Sequence, residues 1–489
     1  MSSDGIGGRA RTNPGSVAVV SPGRSTTFGE LDQRQRLLAG ALASAGIREG
    51  DRIAVLSQNS IGSIEVTTGA LRAAVVPVPI NPLLTQPEIA YLLEDSGAKW
   101  LFTDRSVDLA PGLDRIVTFG DAYERCLQEA EPVDLCDWVR GRPMHYTSGT
   151  TGLPKGVWVM PYDEARAESV SRDFRELWGI SAEDIHLVCS PLAHSAPHRF
   201  SMRTLEAGGV VAVQRGFDPA EILAAIELYG VTSTFMVPTH LERIFALGGR
   251  VPSRHDISSL RLLAHAGAPI SEATKRMTIE AFPFGSVWEF YGSTEGQATR
   301  ISSEEWLRKP GSVGTARAGG SIEVTDENGR PLPPGEVGEI WVGDPSAESW
   351  EYWNDPAKTA EAWRAGAFTA GDLGWLDDDG YLFLAARKHD TIITGGVNVY
   401  PQEVEQVLVQ HPAVTEAMVY AATSDEWGEE VRAHVVLATG AELSAEDLRA
   451  WARSRLAGFK CPKSFEFVDD LPRTPTGKLK RPLREARNL

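Results

Sequence analysis

The sequence has few cysteines, no long apolar run and too few positive charges to balance its acids, and each shortage excludes a class of protein. The four cysteines form no CxxC pair, so we expect a reduced, cytoplasmic protein and no disulfide framework. The formal net charge of −18 argues against nucleic acid or an anionic membrane surface as the main partner. An anionic ligand would need positive charge supplied locally, by lysine, arginine or a metal ion.

Apolar runs are too short for a targeting or membrane segment. Within the first 20 residues the longest run is Val17-Ala18-Val19-Val20, which does not make a signal peptide. No run approaches the ~18 residues that a membrane span requires. The chain also shows no internal repeat and no low-complexity segment. Its 489 residues are therefore expected to form a globular protein with room for about three domains of ~150 residues each.

The segment 147–156 is the most informative feature that is present. It combines three glycines, four hydroxyl residues and one lysine, so backbone N–H groups, hydroxyls and an ammonium can converge on a polyphosphate. It is not a Walker A motif, because two residues separate Gly152 from Lys155, whereas in that motif the lysine follows the glycine directly. A solvated Gly/Thr turn between strands is the alternative interpretation.

Short β-branched runs alternate with longer amphipathic runs from Asp51 to about Val237. This alternation predicts βαβ units and mostly parallel sheets. Examples are the runs at 52–56, 61–74, 75–79, 210–213, 218–229, 233–237 and 239–247. From Ser321 onward, turn residues at 326–329 and the breaker Pro-Leu-Pro-Pro-Gly at 331–335 indicate a β-rich subdomain instead.

The pattern changes again after about Arg387, where roughly 100 residues, near the usual domain size, have the pattern of a small α+β unit. Its expected elements are strands at 391–394 and near 416–421 and 432–437, and helices at 402–410 and 445–457. The predicted fold class is α/β, with a large N-terminal body of mostly parallel sheets with helices plus a β-rich subdomain, and a small mobile α+β C-terminal domain. We place the large domain at 1–386, a hinge at 387–390 and the small lid domain at 391–489.

Three further motifs follow the glycine-rich segment. They are Tyr291-Gly292-Ser293-Thr294-Glu295, then Ala370-Gly371-Asp372-Leu373-Gly374 with Arg387, and finally Pro475-Thr476-Gly477-Lys478. In this order, the four motifs resemble those of the acyl-adenylate-forming superfamily, which contains acyl-CoA synthetases, luciferases and peptide-synthetase adenylation domains. The resemblance extends from about Thr27 to Lys478.

The resemblance implies roles for residues around a bound nucleotide. The phosphate loop would hold the β and γ phosphates of ATP through Thr147, Ser148, Gly149, Thr150, Thr151, Gly152 and Lys155. Tyr291 would stack on adenine opposite Gly267 and Ala268, where small residues let the backbone approach closely. Thr294 would contact the α-phosphate, and Glu295 would bind Mg²⁺, which prefers hard oxygen ligands. A turn with a core tyrosine is the alternative interpretation of this second motif.

The last two motifs would complete the nucleotide site. By resemblance, Asp372 and Arg387 hydrogen-bond the ribose hydroxyls. Lys478 would be catalytic, bridging the substrate carboxylate and the α-phosphate and neutralising the charge that builds up during attack. An acidic turn at Asp372 and a solvated surface charge at Lys478 are the alternatives.

The sequence departs from the family pattern at three positions. Relatives usually carry threonine where this chain has Ala370, glycine where it has Ala386, and aspartate or lysine where it has His389 in the hinge. A hinge residue needs only to absorb a change of φ and ψ, which histidine can do. Beyond the hinge, the segment 395–401 resembles the one that lines the family's thiol tunnel.

Pro191-Leu192-Ala193-His194 resembles the family motif whose histidine lies at the mouth of the acyl pocket, so His194 joins the catalytic candidates. A structural histidine is the alternative. His194 and His198 are four residues apart and could bind a metal from one helix face. Pro191 and Pro197 disfavour a helix there, and no third ligand is evident, so zinc is not expected.

The resemblance implies a two-step ligase. A carboxylate attacks the α-phosphate of Mg²⁺-bound ATP, giving acyl-AMP and pyrophosphate, and a thiol, expected to be that of coenzyme A, then displaces AMP. The alternatives are a carrier protein as acceptor in trans, nitrite-dependent diazotisation of an aromatic amine, and a catalytically silent nucleotide-binding scaffold. Pocket residues around His194, 235–238, 265–268 and 288–290 suggest a medium-size or aromatic acid. A monomer and a homodimer both stay open.

Overall fold

The computed structural model describes residues 4–107, 112–147, 154–248, 255–343, 350–387, 390–394, 397–424, 427–473 and 479–482. Of Arg387 it describes the backbone alone. These residues form five β-sheets. None of the helices in these ranges has the length and apolar character needed to span a bilayer.

The N-terminal part builds a four-stranded sheet in the order β4-β3-β5-β6, with all pairs parallel. The elements up to this point are α1 (Gly5–Thr12), β1 (Val17–Ser21), β2 (Arg24–Thr27), α2 (Phe28–Ser44), β3 (Arg52–Leu56), α3 (Ile61–Arg72), β4 (Val76–Ile80), α4 (Gln86–Ser96), β5 (Trp100–Thr103), β6 (Arg115–Thr118) and α5 (Asp121–Gln128). Strand β4 contains Pro77 and Pro79. It can do so because it lies at the sheet edge, where a missing N–H is tolerated.

The centre of the large domain is a nine-stranded sheet in the order β15-β14-β13-β12-β11-β9-β10-β1-β2. Its elements and their neighbours are β7 (His145–Thr147), β8 (Lys155–Val159), α6 (Glu164–Trp178), β9 (Ile185–Val188), α7 (Ser195–Glu206), β10 (Val210–Val213), α8 (Pro219–Tyr229), β11 (Ser233–Met236), α9 (Pro238–Ala246), β12 (Leu262–His265), α10 (Glu272–Ala281), β13 (Val287–Gly292), β14 (Gln297–Ser302), α11 (Ser303–Arg308) and β15 (Thr315–Ala316). The six strands from β1 to β13 in this order pair in parallel. Their carboxyl ends therefore meet at one edge, the usual location of a ligand site in an open α/β sheet.

The β-rich subdomain is antiparallel throughout. Its elements are β16 (Ser321–Thr325), β17 (Gly338–Gly343), β18 (Trp350–Tyr352), α12 (Pro356–Ala362), β19 (Trp363–Arg364), β20 (Ala367–Phe368), β21 (Asp372–Leu376) and β22 (Leu382–Arg387). Five strands run in the order β19-β20-β17-β21-β22, with β16 also on β17, while β18 joins β8 and β7 in a separate three-stranded sheet. Strand β18 therefore connects this subdomain to the two strands that flank the phosphate loop.

The C-terminal residues form a separate α+β domain with its own hydrophobic core. Its elements are β23 (Ile392–Thr394), β24 (Val397–Val399), α13 (Pro401–Val409), β25 (Val414–Ser424), β26 (Gly428–Leu437), α14 (Ala445–Arg453) and β27 (Ser464–Phe467). Buried side chains from both helices and most of the strands pack into one cluster, which includes Val404, Val419, Val435 and Leu448. A core of its own is what a separate domain needs to fold as a unit.

Local sequence signals explain where the helices begin and end. Helix α8 follows Asp218, whose side chain accepts hydrogen bonds from the amides of Ala220 and Glu221, and Pro219 fits its first turn. It ends at Gly230, which adopts the left-handed conformation with φ of 60° and so satisfies the terminal carbonyls.

The predicted fold class is confirmed. The predicted strands at 52–56 and 210–213 have the same bounds as β3 and β10, and the expected helices of the C-terminal domain appear as α13 and α14. The expectation that Pro191 and Pro197 prevent a helix near His194 is wrong. Helix α7 begins at Ser195, so Pro197 falls in its first turn, where the missing N–H would have no helical partner in any case. The domain limits at 386, 390 and 391 stay a prediction.

Candidate functional site

The predicted phosphate loop starts and ends on paired strands. Thr147 at the end of β7 pairs with Lys155 at the start of β8, so the two ends of the loop lie side by side. Ser148, Gly149, Thr150, Thr151 and Gly152 lie outside the described residues. Lys155 Nζ is 3.0 Å from Asp355 Oδ2 and 5.5 Å from the centre of the Tyr352 ring. A hydrogen bond from the Lys358 amide, with help from Lys155, lowers the pKa of Asp355.

The predicted magnesium ligand Glu295 is nearly buried, at 7% exposure. Its Oε1 accepts a 2.8 Å hydrogen bond from the hydroxyl of Tyr352. Arg142 Nη1 donates to the carbonyl oxygens of Thr294 at 2.8 Å and Glu295 at 3.4 Å. Arg142 and Tyr352 therefore both hold the turn that carries Thr294, the predicted α-phosphate contact, and Glu295, the predicted metal ligand.

The predicted adenine and ribose residues are in direct contact. Tyr291, near the carboxyl end of β13, donates its hydroxyl to Asp372 Oδ2 at 2.7 Å. Asp372 begins β21 and is the cross-strand partner of Arg387, the last residue of β22. The side chain of Arg387 lies outside the description. Two motifs that are 81 residues apart thus meet where the central sheet and the β-rich subdomain adjoin.

The opposite wall predicted for adenine follows β12. Gly267 has φ of 92°, and a Cβ there would first meet Val237 Cγ1 at 3.6 Å. A Cβ atom would therefore fit at this position, but residues other than glycine are strained in this backbone conformation. Gly267 is exposed and Ala268 is half-buried, so a planar ligand could contact their backbone.

His194 is the N-cap residue of α7 and is half-buried. One turn into the helix, the ring of His198 is 6.0 Å from the ring of His145, centre to centre, in an edge-on arrangement. Burial lowers the pKa of His198 to about 3, and burial also lowers the pKa of His145. These two imidazoles are therefore neutral near pH 7.

An aromatic cluster lies between the helices α6 and α7 and the strands that carry the adenine wall. The ring of Phe200 lies 5.3 Å from Trp178, 6.2 Å from Phe235 and 6.4 Å from Phe290, centre to centre. Phe200 is 2% exposed, and it extends from the helix whose first turn follows His194. Phe235 and Phe290 therefore form one aromatic layer with Phe200. They belong to two of the regions expected to line the acid pocket, 235–238 and 288–290.

Sequence reasoning missed Arg142, Tyr352 and Asp355. Asp355 did carry a local signal, because Asp-Pro at 355–356 is a common start of a helix, and its side chain does cap α12. Nothing local marks Arg142 or Tyr352, since each acts on a segment that is at least 57 residues away in the chain. The predicted catalytic Lys478 lies outside the described residues.

Sequence comparison agrees with this geometry. A model of the AMP-binding enzyme family matches residues 8–349, and a model of the AMP-binding enzyme C-terminal domain matches residues 403–478. The chain belongs to the AMP-binding enzyme family. It is 36% identical to a feruloyl-CoA synthase from a Streptomyces species, over 98% of each chain. It is also 36% identical to a 2-succinylbenzoate–CoA ligase from Geobacillus kaustophilus, over 98% of this chain and 96% of the relative.

Solved structures of AMP-binding enzymes have the same fold. The o-succinylbenzoate CoA synthetase from Bacillus subtilis, in complex with its acyl-adenylate intermediate, matches with a TM-score of 0.85 at 30% identity, over 97% of this chain and 96% of that one. The same enzyme with ATP and magnesium ion also gives 0.85. The predictions of the family, of an AMP-forming acid–thiol ligase and of ATP and Mg²⁺ as its cofactors are therefore confirmed.

Proposed function

We propose that this AMP-binding enzyme activates a compact aromatic carboxylic acid and transfers the acyl group to coenzyme A. The observation that supports an aromatic acid is the cluster of Phe200, Phe235 and Phe290 between α7 and the adenine wall. Flat rings of this kind favour stacked or edge-on contact with another ring. The similarity to feruloyl-CoA and 2-succinylbenzoate–CoA ligases supports the same class.

The nucleotide is proposed to lie along the carboxyl edge of the central sheet. Adenine would stack on Tyr291 opposite the backbone of Gly267, and the ribose hydroxyls would reach Asp372 and Arg387. The 2.7 Å hydrogen bond between Tyr291 and Asp372 supports this assignment, because it fixes both groups before the ligand arrives. Preorganisation of this kind reduces the entropy lost on binding.

Glu295 fits the requirements of a magnesium ligand. Its carboxylate is a hard oxygen donor, and the Tyr352 hydroxyl bonds to Oε1, which leaves Oε2 as the oxygen to offer to the cation. When bound, Mg²⁺ would neutralise charge on the phosphates. Lys155 would do the same from the end of the phosphate loop, exchanging its contact with Asp355 for a phosphate oxygen.

Lys478 is proposed to neutralise the charge that develops between the attacking carboxylate and the α-phosphate, with Thr294 contacting the same phosphate and His194 at the pocket mouth. Most of the rate would come from positioning the two anionic reactants and from electrostatic stabilisation. Substitution Lys478→Ala should therefore abolish adenylation while ATP binding stays largely intact. Unchanged adenylation would contradict the assignment.

Pyrophosphate release over a panel of acids, with and without coenzyme A, tests the substrate. The panel should contain hydroxycinnamic, benzoic and succinylbenzoic acids beside fatty acids of increasing length. We expect the fastest release with an aromatic member and a coenzyme A thioester as the product. Faster release with fatty acids would overturn the aromatic assignment, and release without a thioester would overturn coenzyme A as the acceptor.

A carrier protein is the second candidate acceptor. It is supported by 34% identity to a fatty acid–[acyl-carrier-protein] ligase from Streptomyces coeruleorubidus, over 97% of this chain and 94% of the relative. Replacing coenzyme A with a phosphopantetheinylated carrier protein in the same assay separates the two acceptors.

All four cysteine thiols of the chain are unpaired, which supports the proposed location in the reducing cytoplasm.

A further inference from the structure

The residues on either side of 474–478, the segment that contains Lys478, are in contact with each other. Arg473 and Leu479 form an antiparallel bridge, and the amide of Lys480 donates a 2.8 Å hydrogen bond to the carbonyl of Pro472. Pro472, Arg473, Leu479 and Lys480 are therefore held together, and we call these four residues the base of the lysine segment. Lys478 directly precedes Leu479 in the sequence, so contacts that hold the base also bear on this lysine.

Arg481, three residues after Lys478, ties the base to three different elements. Its Nε donates to the carbonyl of Val419 on β25 at 3.0 Å, and its Nη2 donates to Glu405 Oε1 on α13 at 2.6 Å. Its Nη1 donates to Asp390 Oδ2 at 3.1 Å. Asp390 is the last residue of the predicted hinge, so one guanidinium joins the lysine segment, the core of the small domain and the end of the hinge.

The side chains of Arg481 and its two acidic partners are mostly buried, which favours one fixed arrangement of these groups over a mobile ion pair at the surface. The side chains of Arg481 and Asp390 are each 19% exposed, and that of Glu405 is 13% exposed. Glu405 Oε1 also accepts a 2.8 Å hydrogen bond from the amide of Val419, which holds the carboxylate in place. Arginine suits this site because its planar group donates in several fixed directions at once, which lysine cannot do.

We propose that Arg481 is a positioning residue that makes Lys478 and the end of the hinge move as one body when the small domain rotates. The inference rests on the proposed role of Lys478 in adenylation. Loss of Arg481 would release the base of the lysine segment, so the ammonium would no longer arrive at a fixed position. Adenylation, which needs Lys478, should then suffer far more than attack of the thiol on an acyl-adenylate that is already formed.

The test compares Arg481→Met with wild type in the two half-reactions. Adenylation is measured as pyrophosphate release with ferulate, or with the fastest acid of the panel above, and thiolysis is measured with the matching chemically prepared acyl-adenylate and coenzyme A. We expect adenylation to fall about 10- to 100-fold, as for other misplaced catalytic groups, and thiolysis to change much less. Arg432→Met is the matched control, because Arg432 lies in the same domain and its guanidinium pairs with Glu430 at 2.8 Å on the surface.

The double variant with Lys478→Ala identifies what Arg481 acts through. If Arg481 works by placing Lys478, Arg481→Met should cost little further adenylation once the lysine is absent. Arg481→Lys should restore only part of the rate. Amide hydrogen exchange of the protein without bound acid gives an independent readout, and Arg481→Met should speed exchange at 391–394 and 479–481.

Three outcomes would overturn the inference. They are an Arg481→Met enzyme that adenylates at the control rate, an equal loss in both half-reactions, and an undiminished effect of Arg481→Met in the Lys478→Ala background. Normal adenylation by Lys478→Ala alone would be a different failure, since it removes the proposed role of Lys478 and with it the group that Arg481 is said to position.

Discussion

The hydroxyl of Tyr352 donates a 2.8 Å hydrogen bond to Oε1 of Glu295, and this contact joins the β-rich subdomain to the proposed magnesium ligand. The ring of the same tyrosine lies 5.5 Å from Lys155 Nζ. One side chain therefore touches a residue from the phosphate loop and another from the motif that would hold the metal. The position of Tyr352 therefore links the phosphate loop to the proposed magnesium ligand.

Removing this hydroxyl should weaken the response to magnesium. A hydrogen bond to a charged group contributes about 1.5–3 kcal/mol, so Tyr352→Phe should raise the Mg²⁺ concentration for half-maximal adenylation by about tenfold or more. Magnesium titrations of pyrophosphate release at saturating ATP measure this shift. Tyr420→Phe is the control, because its hydroxyl bonds to His434 at 2.9 Å in the small domain. An unchanged magnesium midpoint in Tyr352→Phe would show that Tyr352 does not orient Glu295.

Gly267 allows a prediction that separates strain from function. Gly267→Ala should destabilise the fold by about 1–2 kcal/mol, because alanine is strained at φ of 92°. It should also raise the KM for ATP, since the adenine wall must shift. Gly285 is the matched control, with φ of 76°, an open Cβ position and a location before β13, at the opposite edge of the sheet. Gly285→Ala should lose similar stability in urea unfolding without a change in KM, and an equal KM change in both variants would contradict the adenine assignment.

Gly267 and Tyr352 illustrate which parts of the fold and the site could be predicted from the sequence and which could not. Parallel strands and helices follow local periodicity and composition, so β3 and β10 could be predicted from the sequence. Gly267 was assigned to the adenine wall by its resemblance to the family's segment, and that role stays a prediction. Tyr352 could not, because its importance depends on a contact with Glu295 across 57 residues. Helix α7 was missed for another reason, since a proline that forbids a helix interior is compatible with a helix start.

The aromatic layer predicts a change of acid selectivity. Phe200 is 2% exposed and meets Trp178, Phe235 and Phe290, so a smaller side chain there should open space at the proposed acid pocket. Phe200→Leu should lower activity with the preferred aromatic acid and improve the relative kcat/KM for a bulkier acid about 10-fold, the range that one pocket side chain commonly provides.

The control for this selectivity change is Phe102→Leu, which alters a fully buried phenylalanine in the separate core around β5. Both variants should lose some stability. The ratio of kcat/KM values between the two acids should change only in Phe200→Leu. An unchanged ratio would place the acid elsewhere.

Buried histidines predict how stability depends on pH. Burial lowers the pKa of His186, His198 and His240 to about 3, well below the ~6.5 of an unfolded chain. Between these values the unfolded state binds more protons, so stability falls as the pH decreases from about 6.5 towards 3. Each such histidine should cost about 2 kcal/mol of the free energy of unfolding between pH 7 and pH 5.

Substitution of one of these histidines should remove its share of the pH dependence. His240→Phe is suitable because His240 stacks on Phe217 at 3.8 Å with the rings within 6° of parallel, a packing that phenylalanine can keep. Loss of the 3.4 Å contact with Ser190 should lower stability equally at every pH. Urea unfolding at pH 7, 6 and 5 should therefore give a flatter pH dependence than wild type by about 2 kcal/mol. His255→Gln, at a partly exposed histidine beside Glu227, is the control, and a pH dependence in His240→Phe equal to wild type would mean that the buried ring does not stay neutral.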